Sequence, residues 1–265
     1  PMTSGAIWKR MILFALPLML GNLFQQMYNT VDSLIVGRFV GSSALAAVSS
    51  SGSLIGMLIG LFIGISSGAG VIVARHFGAQ DKEGLHRTVH TIVAFGLVAG
   101  VIMTAVGVLL SPQILVWMGT PDSVMVESVV YLRLYFCGSL PFMMYNVFVG
   151  ILQAVGDGRH PLYYLIASSI INLGLDLLFI EGFDAGVGGA ALATVISQIV
   201  SALLCLAQLM RTKEDYRVDL KAIRFQKDIL WQVIRVGLPS GVQNSIIAFA
   251  NVIVQSNVNA FGEMA

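Results

Sequence analysis

The sequence predicts an all-α polytopic membrane protein, in which a six-helix transmembrane lobe is followed by the first helix of a second, parallel-repeat lobe. Three observations support this fold class: an apolar composition, a series of membrane-length apolar runs, and an internal repeat. The 265 residues are 56% hydrophobic and only 11% charged, whereas soluble proteins are about 25% charged. Such a chain cannot cover itself with a polar surface, so an ordinary soluble globule is excluded.

Apolar runs divide the chain into predicted spans. A bilayer core takes about 20 apolar residues per helix, and six complete runs reach that length. The predicted spans are 11–36, 46–74, 88–110, 124–151, 161–181 and 187–210, and a seventh starts near Ile229. We therefore expect a six-helix lobe over 1–211, a cytoplasmic inter-lobe loop over 212–228, and the first helix of a second lobe over 229–265.

The distribution of basic residues predicts the orientation in the membrane. All Lys and Arg except Arg38 and Arg133 fall on one side of the predicted spans, and loops rich in Lys and Arg face the cytoplasm. Trp8, Trp117 and Trp231 stand at span ends, where interfacial tryptophans are enriched. We predict a multi-pass protein of the cell (inner or plasma) membrane with a cytoplasmic N-terminus.

An internal repeat relates span seven to span one at an offset of 222 residues. The most telling matches are Leu16, Pro17, Asn22 and Asn29, which recur as Leu238, Pro239, Asn244 and Asn251. Because six spans separate the copies, both begin on the same side, as do the parallel repeats of transporters. The chain begins at Pro1 and stops within the second repeat, so we expect an N-terminal fragment that lacks the remainder of the second lobe.

A polar stripe follows one face of span one. Its members are Asn22, Gln25, Asn29 and Asp32. Polar side chains in hydrocarbon face a bundle interior or a wet cavity, so the stripe predicts a cavity wall on which a buried Asp32 binds a proton or a cation. Alternatively, Asp32 lies at the outer interface near Arg38. The substrate-cleft candidates are Asn22, Gln25, Tyr28, Asn29, Asn244 and Asn251.

A second polar group lies in spans five and six. Asn172 and Asp176 are spaced i, i+4 and share one helix face, and Thr194 falls at a similar depth near the outer end of span six. Together with Asp32 they would form an oxygen-rich site suited to Na⁺ or to shared protons. The structural alternative is that Asn172 only bonds a neighbouring helix, since interhelical Asn bonds are common.

Glycines and prolines predict packing and bending. Glycine recurs at every fourth position of span two from Gly52 to Gly68, which lets another helix approach closely; we interpret this ladder as a packing surface without chemistry. Proline removes a helical hydrogen bond and permits a kink. Pro17 and Pro239 are therefore predicted hinges in spans one and seven, and Pro141 predicts a kink in span four.

Several function classes are excluded. The net charge of +1 gives no basic footprint for nucleic acid, and there is no GxxxxGK[ST] motif for ATP hydrolysis. His86 and His90 lack a third metal ligand, so we expect solvated interface histidines. The sequence shows no nucleophile that could be matched with a general base. We therefore predict that the chain is not an enzyme, has no catalytic residue, and needs no cofactor beyond a coupling ion, H⁺ or Na⁺.

Four segments together resemble the multidrug and toxic compound extrusion (MATE) family, of the prokaryotic type. They are residues 16–41, 73–81, 170–180 and 186–198. The resemblance implies 12 spans in two six-helix lobes around a central cleft, and export of cationic or amphipathic organic compounds in exchange for H⁺ or Na⁺. It also implies a bendable proline in helix one, matching Pro17, and a cation site in the first lobe. The implied cation-site residues are Asp32, Asn172, Asp176 and Thr194.

The leading hypothesis is a secondary active antiporter for multidrug efflux, coupled in the first lobe and binding small organic substrates in an inter-lobe cleft. We expect a monomer in the lipid bilayer, completed by the remainder of the second lobe. The alternative is a lipid-linked saccharide or lipid flippase of the same superfamily, which needs a basic cleft. Arg133 is the only clearly intramembrane basic candidate before Arg235. A membrane enzyme or receptor ranks last.

Overall fold

The described residues of the computed structural model are almost entirely helical, and they comprise 7–39, 60, 62–117, 122–183 and 185–260. The helices are α1 (Ile7–Phe39), α2 (62–78), α3 (Lys82–Trp117), α4 (Asp122–Cys137), α5 (Ser139–Ala154), α6 (Arg159–Asp176), α7 (Gly186–Arg211) and α8 (Lys227–Ala260). A π-helical turn, Leu177–Gly182, extends α6, and a 3-10 turn, Leu220–Ala222, lies between α7 and α8. The all-helical fold class is confirmed.

Every predicted span overlaps one or two of these helices. By length and hydropathy alone, three segments of the described chain are long and apolar enough to cross a membrane: Lys82–Val116, Arg159–Gly182 and Gly188–Arg211. The bent pair formed by α4 and α5 gives a fourth if it is one span. The division into six spans plus one, and the lobe boundaries at 211 and 229, stay predictions.

The predicted kink in span four is present. The axes of α4 and α5 differ by 42°, and the break falls at Gly138, whose N–H donates to the carbonyls of Leu134 and Tyr135 at 3.3 and 2.9 Å. Pro141 lies three residues further on. Its ring has no N–H to donate and crowds the carbonyl of the fourth residue back, which is Cys137, so the α-helical ladder ends there.

The core lies where α2, α3, α5 and α7 meet. Val73, Val89, Ile151 and Leu209 come from these four helices in turn, and each is at most 1% exposed. Val233 of α8 joins the same cluster. The beginning of α8 is therefore packed onto the preceding helices rather than separate from them.

The glycine ladder of α2 packs directly on α8. Gly64 lies against Gly241, and Gly68 lies against Gly237, with backbone facing backbone. A methyl group added at Gly64 would overlap the Gly241 backbone and would come within 2.6 Å of the Ser240 carbonyl carbon. The interpretation of the ladder as a close-packing surface is confirmed for these glycines, and the partner helix is α8.

Asp81 caps the first turn of α3. Its carboxylate accepts the Gly84 N–H at 2.9 Å and contacts His76 Nδ1 at 2.8 Å, the side-chain arrangement that stabilises a helix N-terminus. The hydrogen bond from Gly84 and then that from His76 lower the pKa of Asp81 below its ordinary value. The carboxylate therefore stays ionised over the neutral pH range, in which it caps α3.

The segment between α7 and α8 packs against α3, and this corrects the interpretation of His90. The imidazole of His90 is 2% exposed. Its Nδ1–H donates to the His86 carbonyl at 2.7 Å, and its Nε2 accepts the Asp219 N–H at 2.9 Å. His86 remains exposed, but the prediction of two solvated histidines is wrong for His90, because its ring is buried by residues from a loop 129 positions away.

Candidate functional site

The face of α6 that carries Asn172 and Asp176 is buried. Each of these side chains is 1% exposed, whereas Ile170 is 67% and Leu173 is 39% exposed on the other sides of the helix. This part of the helix therefore turns Asn172 and Asp176 inward and apolar residues such as Ile170 outward. This is the arrangement expected in a membrane, where lipid covers the apolar side chains and polar groups face the protein interior.

The amide of Asn172 is buried and unsatisfied. Neither its Oδ1 nor its Nδ2 has a hydrogen-bond partner among the described residues. Burying an amide without a hydrogen bond costs about 1–3 kcal/mol in proteins, and a group retained at that cost is often functional. An amide oxygen of this kind is a suitable ligand for a hard monovalent cation.

A change of helix type begins directly after Asp176. The α-helical part of α6 ends at this residue, and Leu177–Gly182 forms a π-helical turn. Short π-helical turns within α-helices occur frequently at functional sites. This turn was not predicted from sequence, and Gly174 before it and Gly182 at its end are only a weak signal for it.

Thr194 lies on α7, which packs beside α6. Its hydroxyl donates to the Ala190 carbonyl at 3.1 Å, so its lone pairs remain to accept. It lines a small cavity of about 20 Å³, with Tyr135, Ser139 and Gln198 among the other lining residues. That volume is enough for about one water molecule. Thr194 is thus placed at a small enclosed space bounded by α3, α4, α5 and α7.

For four of the predicted site residues the structure describes the helix but not the side chain. Asp32, Tyr28 and Asn29 lie in α1, and Asn251 lies in α8, but these side chains are outside the described part of the chain. The role of Asp32 in the cation site stays a prediction. Of the four implied cation-site residues, Asn172 and Asp176 share one buried face, and Thr194 lies on the neighbouring helix.

A larger cleft opens between α1, α2, α5 and α6. Its volume is about 670 Å³, within the range of about 300–1,000 Å³ typical of small-molecule sites. Pro17, Asn22 and Gln25 of α1 line it, so the structure brings together two of the predicted cleft residues and one predicted hinge. All its lining residues fall in the predicted first lobe, 1–211, whereas the sequence predicts a substrate site between the lobes.

The opposite wall of this cleft adds polar residues that were not predicted from sequence. Asn146 and Gln153 of α5 face it, with Ser66 and Ser67 of α2 and Tyr145. The two amides are seven residues apart, the spacing of one helix face, and that spacing could have revealed them. All the described lining residues are uncharged. The cleft therefore offers amides, hydroxyls and aromatic rings to a ligand.

Asn244 and Pro239 of α8 lie away from this cleft. The backbone of Asn244 is 3.4 Å from the position that a Cβ on Gly60 would occupy, so Asn244 belongs to the crossing of α2 and α8. Pro239 falls inside α8, between the two glycines that contact α2. The hinge roles of Pro17 and Pro239 stay predictions.

Comparisons with known proteins identify the family. A sequence model of the MatE family matches residues 17–178, more than half of the chain. The chain is similar to the probable multidrug resistance protein YoeA of Bacillus subtilis, with 34% identity over 99% of this chain and 58% of that protein. It is also similar to the multidrug export protein MepA of Staphylococcus aureus, with 25% identity over 99% of this chain and 58% of that protein.

The fold agrees with a solved structure. A crystal structure described as MATE in the bent conformation superposes with a TM-score of 0.87 and 28% identity, over 97% of this chain and 57% of that one. The chain thus spans about 58% of the length of the curated relatives that it matches. Both the sequence match over residues 17–178 and the shared helical architecture lead to one conclusion: the chain belongs to the MATE family of membrane transporters.

Proposed function

We propose that this chain is part of an ion-coupled antiporter that exports small amphipathic or cationic organic compounds in exchange for H⁺ or Na⁺. The observation that carries the proposal is the buried pair of Asn172 and Asp176 beside a π-helical turn. Relatives named for multidrug resistance and export support efflux as the activity. Transport is proposed for a monomer in the cell membrane that also contains the rest of a second lobe, and whose N-terminus is cytoplasmic.

Coupling resides on α6 in this proposal. Burial disfavours the ionised form of a carboxyl group, and an aspartate within a bilayer costs about 2.5–3.5 kcal/mol on insertion scales. A carboxyl group at Asp176 therefore gains from binding a proton or a cation, and the adjacent Asn172 oxygen supplies a further neutral ligand. Asp32 and Thr194 complete the proposed set.

The substrate site in this proposal is the cleft between α1, α2, α5 and α6. Asn22, Gln25, Asn146 and Gln153 offer hydrogen bonds, and Tyr145 offers an aromatic face. A site without fixed charges accepts compounds of differing shape and charge, which suits a multidrug transporter. Pro17 lies in the cleft wall, and a bend there would reshape the cleft when the ion site on the same lobe is filled or emptied.

Exchange requires that ion and substrate favour different conformations. Binding of H⁺ or Na⁺ near Asp176 would stabilise one arrangement of α1, and substrate in the cleft would stabilise the other. The free energy that couples two such sites is typically about 1–3 kcal/mol. Coupling of this size changes the affinity for the organic compound about 5- to 150-fold when the ion binds, and the ion gradient supplies the work.

The cleft favours this proposal over the flippase alternative. A lipid-linked saccharide carries a pyrophosphate, which needs Lys or Arg side chains for its recognition. The described residues that line the cleft include neither, and Arg133 is an exposed residue of α4, outside that lining. Preferential binding of polyprenyl pyrophosphates over organic cations by the purified protein would favour the flippase over the antiporter.

Charge removal tests the coupling role. Asp176→Asn and, separately, Asp32→Asn should lower gradient-dependent ethidium export from whole cells by at least about fivefold, because each removes part of a coupling energy of about 1–3 kcal/mol. The variants are made in a chain that contains both lobes. Glu181→Gln is the matched control, since Glu181 is an exposed acid on the same helix, and export should persist. Wild-type export by both aspartate variants, still dependent on the gradient, would remove them from the coupling role.

A further inference from the structure

The segment that joins α7 to α8 is firmly packed onto the first lobe. Val218 is fully buried, and its N–H donates to the Leu209 carbonyl at 3.1 Å. Tyr216 packs edge-on against Phe77, with ring centroids 6.4 Å apart, and Ile223 packs against the main core. These inward-facing residues fix which side of the segment points outward.

The outward side combines basic and bulky apolar residues. Leu220 is 53% exposed and Phe225 is 48% exposed, and neither lies in one of the long helices. Arg217, Lys221 and Arg224 are exposed beside them. We call these five residues the linker surface. Exposed bulky apolar side chains interleaved with Lys and Arg are typical of segments that lie in a membrane interface.

Two acids beside the linker surface are paired with bases of α3. Asp215 pairs with Lys82 at 3.2 Å, and Asp228 of α8 pairs with Arg87 at 3.0 Å.

The other two acids of the segment, Glu214 and Asp219, are exposed, and the Asp219 carboxylate accepts the Lys221 backbone N–H at 3.0 Å. The basic residues of the linker surface form no ion pair within the part of the chain that the structure describes. Their side chains are therefore available to an external anion.

The predicted start of the membrane span in α3 places the linker surface near the depth of the lipid headgroups. The segment contacts α3 at His90 and Thr91, through the Asp219 N–H and the Arg224 carbonyl. These contacts lie about 12–14 Å along the helix from Lys82, at the point where the apolar run of α3 starts. A segment held there lies at the edge of the hydrocarbon and not free in the aqueous phase.

We propose that the linker surface binds anionic phospholipids of the cytoplasmic leaflet. Arg217, Lys221 and Arg224 bind the phosphate-bearing headgroups, and Leu220 and Phe225 insert at the boundary with the acyl chains. Clusters of Lys and Arg beside the cytoplasmic end of a membrane helix bind anionic headgroups electrostatically. The occupant is a lipid because a free anion would not cover the two apolar side chains.

Lipid-dependent stability tests the proposal without measuring transport. In detergent, phosphatidylglycerol should raise the Tm of the protein more than phosphatidylcholine does, and inorganic phosphate should not. The variant R217Q/K221Q/R224Q should need at least about tenfold more phosphatidylglycerol for the same shift, since each base near an anionic surface contributes measurably.

The matched control variant is K9Q/R75Q/R159Q, which removes three exposed bases elsewhere on the predicted cytoplasmic side. It should keep the wild-type response. Equal loss in both variants, or equal stabilisation by the two lipids, would overturn the proposal.

A local probe tests the same contact independently. With Trp8, Trp117 and Trp231 replaced by Phe, the change Phe225→Trp should give fluorescence that is quenched by phosphatidylglycerol brominated on its acyl chains. Glu214→Trp in the same background is the control, because Glu214 is exposed in this segment but outside the linker surface, and it should be quenched much less. Absence of quenching at position 225, or equal quenching at both positions, would overturn the proposal.

Discussion

The amide of Asn172 is held in the interior of the helix bundle without a hydrogen bond from any described residue. If its role is to bind an ion, it costs stability whenever the ion is absent. Asn172→Leu should therefore raise the free energy of unfolding by about 1–3 kcal/mol, because it removes the unsatisfied polar atoms and keeps a similar volume. The measurement is thermal unfolding of the purified protein in ion-free buffer at neutral pH.

Asn146→Leu is the control for this prediction. The Asn146 amide donates to the Phe142 carbonyl at 2.8 Å, so its replacement should bring no such gain. A loss of stability in Asn172→Leu would show instead that Asn172 bonds a neighbouring helix, the structural alternative considered from sequence.

At the residue scale, the sequence reveals which polar residues are unusual but not how they are satisfied. Asn172 and Asp176 could be predicted because polar residues are rare in an apolar run. The π-helical turn Leu177–Gly182 could not be predicted, because such turns are rare. His90 was misjudged for a similar reason: the backbone N–H that binds it comes from Asp219, which is distant in sequence.

The crossing of α2 and α8 depends on glycine at the scale of whole helices. Gly64→Ala should lower the free energy of unfolding by about 1–3 kcal/mol, the usual cost of overpacking, because the added methyl group meets the backbone of Gly241. Circular dichroism during thermal unfolding provides the measurement.

Gly70→Ala, on the same helix, is the matched control for the crossing. The nearest atom to its added methyl group would be the Gly150 carbonyl oxygen at 3.6 Å, an ordinary contact. This change should be neutral or slightly stabilising, since alanine is the better helix former. Equal effects at Gly64 and Gly70 would mean that α2 and α8 do not pack as described.

Among the elements, the sequence predicts helices better than it predicts their partners and ends. Glycine periodicity indicated a packing surface on α2, but nothing in it indicated that α8 is the partner. Pro141 indicated a kink, and the helix in fact ends at Cys137 and restarts at Ser139, because the clash of the proline ring falls on the preceding turn. The position at which the α-helical hydrogen bonds are lost, between Cys137 and Ser139, could not be predicted from sequence.

For the molecule as a whole, the segment between α7 and α8 fastens the start of α8 to α3. His90→Phe should release it, because the Asp219 N–H then loses its acceptor at His90 Nε2, at a cost of about 1 kcal/mol. Limited trypsin digestion should cut faster after Arg217, Lys221 or Arg224, as followed by mass spectrometry. His86→Phe alters the exposed neighbour and should leave the cleavage rate unchanged. An unchanged rate in His90→Phe would show that the hydrogen bond does not hold the segment.

The whole-molecule fold was the most predictable feature. An 11% charged composition with apolar runs of membrane length leaves few alternatives to a helical bundle. The position of the cleft was less predictable: the polar stripe of Asn22 and Gln25 indicated a cavity wall, but the opposite wall on α5 depends on how the helices are arranged in space. Sequence periodicity defines one face of a helix and does not say what lies across from it.

The uncharged lining of the 670 Å³ cleft has a consequence for how a charged compound would be held there. With no acidic side chain among the described lining residues, attraction comes from amide dipoles, ring faces and displacement of water. Mobile salt ions screen interactions between full charges over about 8–10 Å, but they scarcely weaken contacts of this short range. Affinity in such a cleft would be nearly independent of ionic strength and would follow the shape and oil–water partitioning of the compound.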